Sequence, residues 1–398
     1  MELLSTLLTN YHVFEEKRIN DRFFKHDLII DLLKSLNHNF SIEEVGHSTL
    51  GRSINLVKWG KGPKKVFLWS QMHGDEATAT MALFDLMNIL ELNGEFKEIN
   101  ELLNKKCTLY ILPMLNPDGA ESFTRRNAME IDINRDFHKQ QSPEAQILRQ
   151  LRDKINPEFG FNLHDQSILW SAAETGNPAT ISVLAPAYNR ELSINSVREK
   201  AMKVISHMHK DIKNDIPNHI ARFDDEYEPR AFGDNFQAAG TSTILIEAGG
   251  YKNDSEKQFI RKIYLKSILS GLISIADESY NSEILDNYFS IPENKKRHFQ
   301  FLLKNCKLQR NGEIYTADIG IIAQEKINPD LKSVSYNYLL GDLGDLTGFY
   351  AYQELNCESY KITEIKELRI DEPADIIVQD ANNIILTIEN GRLTNLNE

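Results

Sequence analysis

Three cysteines in 398 residues, Cys107, Cys306 and Cys357, leave this chain no disulfide framework. Odd in number and far apart, they fit reduced thiols and a fold that depends on its apolar core. Cationic charge is also scarce: 45 Lys and Arg against 58 Asp and Glu give a net charge of −13. That balance argues against nonspecific binding to nucleic acid or to an acidic membrane, both of which need a cationic surface. No apolar run reaches the roughly 18 residues a transmembrane helix needs. The first residues carry neither a basic stretch nor a sustained apolar core, so a cytoplasmic protein is expected. Repeats and low-complexity tracts are missing as well. What remains is an ordinary globular composition, 41% hydrophobic and 26% charged, in a chain longer than one core usually supports, so two domains are expected.

The hydrophobic pattern divides the chain in three. Residues 1–38 read as a helical extension. From 39 to 290, strands and helices alternate: strands at 65–72, 107–114, 159–163, 180–185 and 242–247, helices at 77–92, 142–155, 192–211 and 254–278. Such alternation predicts an α/β sandwich with a parallel or mixed sheet. Beyond Pro292 and the basic stretch Lys295-Lys296-Arg297 the helical period disappears. Short β-like runs with Gly and Asp turns predict a small β-rich domain over 291–398, of unreadable role.

Chemistry concentrates at the ends of the predicted strands, where open α/β sheets bind ligands. The run Val66-Phe67-Leu68-Trp69 leads to His73-Gly74-Asp75-Glu76, a histidine and a glutamate three apart. Phe159-Gly160-Phe161-Asn162-Leu163 delivers His164. Two histidines and a glutamate are a donor set that a catalytic zinc accepts while keeping one position open; alone, either motif is equally a turn histidine or an acid at a helix start. Thr243-Ile244-Leu245-Ile246 ends on Glu247, followed by Gly249 and Gly250, which permit close backbone approach. Glu247 is a candidate general base or a salt-bridged strand end. Arg125, beside Arg126 and Asn127, and Arg135, beside Asn134, lie in loops. Arginine suits two-pronged carboxylate contact and a developing oxyanion. His207 and His209, two apart on a helix, point in different directions and are read as surface residues.

Five segments in order resemble the zinc carboxypeptidase family, the metallocarboxypeptidases of the carboxypeptidase A type. They are Gly46 to Ile54 (with Gly51-Arg52-Ser53), His73 to Glu76, Asn116-Pro117-Asp118-Gly119 with Arg125-Arg126-Asn127, Asp132-Ile133-Asn134-Arg135, and Asn162-Leu163-His164. Joint occurrence over residues 40–280 is more specific than any one motif. The resemblance implies an α/β/α sandwich with a mixed sheet and one Zn2+ per chain, held by His73, Glu76 and His164. It implies Glu247 as base toward zinc-bound water, Arg125 as oxyanion stabiliser, and Asn134 and Arg135 as the grip on a substrate's terminal carboxylate. Asp132 would orient His73.

Two positions depart from the family pattern. Asp75 stands where many digestive members carry arginine, and the nearest match to the substrate-capping tyrosine, Tyr227, is off by about two positions. The expected activity is removal of a C-terminal residue from a peptide with a free α-carboxylate. An aspartoacylase-like or succinylglutamate-desuccinylase-like amidohydrolase of small N-acyl amino acids uses the same kinds of residue. The signature at 46–54 and the turn at 116–119 favour the peptidase branch. A non-catalytic binding protein on the same fold is the third reading, opposed by retention of every expected catalytic residue.

Overall fold

The computed structural model describes residue 4, residues 6–328 and residues 333–396. It divides into two compact units, residues 1–167 with 179–294, and residues 168–178 with 295–398.

The first unit is built on eight strands: β1 (Ser41–His47), β2 (Ser53–Gly60), β3 (Lys64–Trp69), β4 (Cys107–Leu112), β5 (Phe159–Asp165), β6 (Ile181–Leu184), β7 (Ile220–Arg222) and β8 (Ser242–Ala248). They form one sheet in the order β1-β2-β4-β3-β5-β8-β6-β7. Pairing is parallel from β4 through β3 and β5 to β8 and antiparallel where β2 meets β4 and where β8 meets β6, so the sheet is mixed. Alternation along β3 explains why both faces are covered. Val66 and Leu68 join a core with residues of helices Thr78–Glu91, Ser196–Ile212 and Gln258–Asp277, while Phe67 and Trp69 face helices Pro143–Ile155 and Phe232–Ala238. Strands buried on both sides read as continuous apolar runs, as these do. Helix starts follow their caps: the Ser142 hydroxyl accepts from Ala145 N, and the Asn195 side chain from Arg198 N. The α/β architecture agrees with the expectation from sequence. Helix Lys97–Lys106 was not anticipated, because its apolar positions are few.

The amino-terminal segment is less helical than its sequence suggests. Among its described residues the long element is His26–Ser35, with a single 3-10 turn at Tyr11–Val13; residues 1–3 and 5 lie outside the described set. The physical reason is a buried ion pair. Asp85 and Arg261, both fully buried, meet at 2.5 Å. Arg261 donates to the carbonyls of Glu16 and Ile19, and Asp85 accepts from Glu16 N and the Tyr11 hydroxyl. Backbone groups satisfied by side chains need no helix.

The second unit carries two four-stranded sheets. The first contains β9 (His298–Arg310), β10 (Glu313–Asn328), β11 (Ser333–Gly344) and β12 (Tyr350–Asn356); the second contains β13 (Lys361–Glu364), β14 (Ile376–Gln379), β15 (Ile384–Glu389) and β16 (Arg392–Leu396). Phe301, Leu303, Ile319 and Leu340 of one sheet share a core with Ile376, Val378 and Ile388 of the other. All three cysteines are free and buried. No helix among the described residues is long and apolar enough to cross a membrane.

Removing one partner of the Asp85–Arg261 pair strands a buried charge. Arg261→Ala should lower the unfolding free energy by about 3–5 kcal/mol, measured by urea denaturation, and should expose the amino-terminal segment to limited proteolysis. A loss below about 1 kcal/mol, the surface-pair range, would remove the ion pair from this account.

Candidate metal and catalytic site

The site sits at the carboxyl ends of β3, β5 and β8. After Trp69 the chain turns through Gln71, which adopts a positive φ of 45°. Its side chain donates to Gly74 O and accepts from Thr80, fixing the loop that presents His73 and Glu76. Gly74 packs directly on the 116–119 turn: a Cβ there would lie 2.0 Å from the Gly119 carbonyl carbon. Asp118 in that turn accepts from Arg52, Ser48 and Leu50 N. Glu144 accepts from Thr49 N and Asn127. The segments that look like separate motifs in sequence are thus one bonded frame. On the other side, parallel pairing sets His164 beside Glu247. The buried Tyr264 hydroxyl ties the two strand ends together, donating to Ile246 O and accepting from His164 N. Gly249 is required because a Cβ would come within 2.0 Å of Ala179 O.

Glu76 lies between the two imidazoles. Its Oε1 is 2.7 Å from His73 Nδ1 and its Oε2 is 2.7 Å from His164 Nδ1. Donor atoms of the three buried side chains lie within 4.8 Å of one another. The other nitrogen of His73 is already taken, 3.1 Å from Asp132 Oδ1, which turns Nδ1 toward the cluster. Two imidazole nitrogens, one carboxylate and an orienting acid fit a zinc ion with a position left open. Burial opposes the charge on Glu76, but His73 and His164 outweigh it and hold the carboxyl well below its usual range. Burial likewise pulls His73 down, yet Glu76 and Asp132 leave it above the ordinary value. His164 ends below it, burial prevailing over Glu76.

Acids crowd this centre. Burial and the neighbouring Glu76 push Asp75 up to about 6. Burial, then Glu76 and Asp165, push Glu247 well above its ordinary value, and its Oε2 has no hydrogen-bond partner. Five carboxyl groups, Asp75, Glu76, Asp132, Asp165 and Glu247, are faced by three permanent cations, Arg125, Lys257 and, toward Asp132, Arg135. A bound dication relieves that imbalance.

Arg125 reaches both acids of the cluster, 3.2 Å from Glu76 Oε1 and 3.0 Å from Asp132 Oδ2. Asp132 Oδ1 also accepts from Asn134 N. The Asn134 side-chain oxygen is engaged by Phe232 N at 3.0 Å, which leaves its amide NH2 as the donor group. The Arg135 backbone N–H donates to Asp132 O, while its guanidinium meets another carboxylate, Glu228, at 3.1 Å. Tyr227 lines a surface groove of about 470 Å3 with Arg190, Leu192, Asp224, Glu226 and Pro229; no residue of the metal cluster is among the described residues of its wall. His207 faces Asp211 and Glu283. Three contributors escaped sequence reasoning. Asp165 was signalled only by standing next to His164, whereas Lys257, which meets it at 3.0 Å, and Tyr264 lie far off in helix-forming sequence.

Comparison with known proteins bears on the family and the fold. Residues 27–213 match the family model described as zinc carboxypeptidase. An uncharacterized protein of Zymomonas mobilis is 30% identical over 149 residues, 36% of this chain and 38% of that protein. A carboxypeptidase of Arabidopsis thaliana is 36% identical over 72 residues, covering 18% of this chain and 15% of its own length. The matched stretches therefore span well under half of these relatives. In structure, the chain is similar to a metallo-carboxypeptidase from Burkholderia cenocepacia, with a TM-score of 0.52 at 18% identity over 65% of this chain and 70% of that one. At that identity the likeness is one of fold.

The raised Glu247 has a thermodynamic consequence. An acid whose folded value lies above its unfolded value of 4.5 destabilises the fold progressively as pH rises past 4.5. In the metal-free protein, Glu247→Gln should raise Tm at neutral pH by a few degrees, at about 2–4 °C per kcal/mol, and the gain should vanish below the ordinary glutamate value. Superimposable Tm–pH curves for the two proteins would contradict the burial of an uncompensated carboxyl.

Proposed function

We propose, from the match of residues 27–213 to the zinc carboxypeptidase family model, that the chain is a zinc-dependent carboxypeptidase cleaving the C-terminal peptide bond of substrates with a free α-carboxylate. The observation that carries this reading is the bonding of Asp132, which links the ligand set to the carboxylate grip: one oxygen contacts His73 and Asn134 N, the other Arg125.

His73, Glu76 and His164 are the residues that would hold zinc. When bound there, zinc supplies a Lewis acid that polarises a carbonyl and lowers the pKa of water to about 7. Glu247, with one oxygen free of partners, takes a proton from the attacking water at that oxygen and passes it to the leaving amine. A cation held by His73, Glu76 and His164 would favour the ionised form of Glu247, the form that accepts a proton. Arg125, set against Glu76 and Asp132, stabilises the developing oxyanion. Asn134 offers its NH2, and Arg135 its guanidinium, to the terminal carboxylate. Glu228 on Arg135 is a carboxylate of this chain standing in the position assigned to that of the substrate, so binding exchanges one for the other. Tyr227 directly precedes Glu228, which places it in the segment such an exchange would move, and a capping role is assigned to it on that ground.

Arg135→Lys keeps the charge but removes the planar fork, so KM for free-acid peptides should rise by about 10–100-fold with kcat less affected. Peptides amidated at the terminus should lose most wild-type activity and should be little affected by the mutation. Equal cleavage of amidated and free-acid peptides would overturn the exopeptidase reading. Turnover of N-acyl amino acids without peptide cleavage would place the chain with the amidohydrolases.

A further inference from the structure

Two arginines converge on the Glu228 carboxylate. Arg135 reaches its Oε2 through Nε at 3.1 Å. Arg230 holds both oxygens at once, donating from Nε to Oε1 at 2.9 Å and from Nη2 to Oε2 at 2.7 Å. The Arg230 backbone N–H adds a further bond to Oε1 at 3.1 Å. The two pairings differ in kind. A planar guanidinium that meets a carboxylate through two parallel bonds makes the stronger and more directional contact, whereas Arg135 touches the same group at one point. Hydrogen bonds from Arg230, helped by the charge of Arg135, hold the Glu228 carboxyl down at about 2, so it is an anion throughout the neutral range.

The backbone around these three side chains is fixed by other groups. Glu228 N donates to Asp234 Oδ1, the Asn235 side chain donates to Pro229 O, and Phe137 N donates to Arg230 O. These bonds tie residues 228–230 to helix Phe232–Ala238 on one side and to the segment after Arg135 on the other. Within that frame the Arg230 side chain, 59% exposed, has room to follow a rotation of Glu228. Glu228 can therefore leave Arg135 and keep a cation. A carboxylate with Arg135 as its one partner would be left with none. The move breaks one exposed contact, and such contacts shift an equilibrium by a factor of only about 2–5.

We propose that Glu228 is an internal competitor for Arg135 and that Arg230 is the positioning residue that draws it off, so that a substrate's terminal carboxylate takes Arg135 while Glu228 remains paired with Arg230. The inference rests on the carboxypeptidase reading and adds, to the exchange at Arg135, the residue that sets its cost. Arg230 then acts through Glu228 and touches no substrate atom. A second substrate-binding arginine would instead act on the carboxylate directly.

Both residues sit in a surface loop, so their variants should fold. Glu228→Gln removes the competitor and should lower KM for free-acid peptides by about 2–5-fold. Arg230→Gln removes the alternative partner and should raise KM by a similar factor, both changes falling on KM rather than kcat. Loss of charge alone would move KM in the same directions, and the double variant separates the two explanations. Residues that act through one another are non-additive, so Arg230→Gln should have no further effect in the Glu228→Gln background. An effect that persists there, or a KM unmoved by Glu228→Gln, would overturn the proposal and leave the peptidase reading intact. If no peptide is cut, the peptidase reading fails, and calorimetry with N-acetyl-alanine, its amide as control, still decides the exchange. Affinity for the free acid that rises in Glu228→Gln, falls in Arg230→Gln and matches Glu228→Gln in the double variant supports the assignment. Equal affinities in all four proteins, or no preference for acid over amide, overturn it.

Discussion

One carboxylate held between two buried imidazoles organises this protein. Glu76 contacts His73 and His164 at 2.7 Å each, in a place where an unpaired charge is prohibitively costly. Around it the chain has set more acids than cations to match them. Such an arrangement is stable only when ionisation is suppressed, as at Glu247 and Asp75, or when a dication enters. The electrostatic strain and the proposed chemistry are the same fact: the groups that make the metal-free centre unfavourable are those a bound zinc would use.

Rigidity around that centre comes from contacts among the surrounding loops more than from the ligands. The loop carrying His73 is pressed on the turn at 116–119 through Gly74, that turn is bolted to the hairpin at 48–52 by Asp118, and Glu144 joins the hairpin to Asn127. Donor atoms held by such a frame keep their positions while the open coordination site is exchanged, the condition for electrostatic preorganisation.

Much of this was legible in the sequence, for identifiable reasons. Strands buried on both faces announce themselves as unbroken apolar runs, and β3, β5 and β8 each end where the run meets His73, His164 or Glu247. Motif order mattered because the motifs bond to one another. The amino-terminal segment misled: its helical periodicity is genuine over 26–35, but before that the backbone is satisfied by Asp85 and Arg261, residues 69 to 245 positions away that no local pattern reveals. Lys257 and Tyr264 were hidden for the same reason. The partner of Arg135 also lay beyond sequence, since the acidic stretch around Glu228 reads as a solvated loop until it folds onto the guanidinium.

Zinc itself is the most direct measurement. Metal analysis of the purified protein with X-ray absorption at the zinc edge should give one zinc per chain, with two nitrogen donors and a carboxylate at about 2.0–2.2 Å. His73→Ala and His164→Ala should each lose most of the metal, while Arg135→Lys retains it. A protein that binds no zinc at micromolar concentrations, or binds it undiminished in both histidine variants, would contradict the account at its centre.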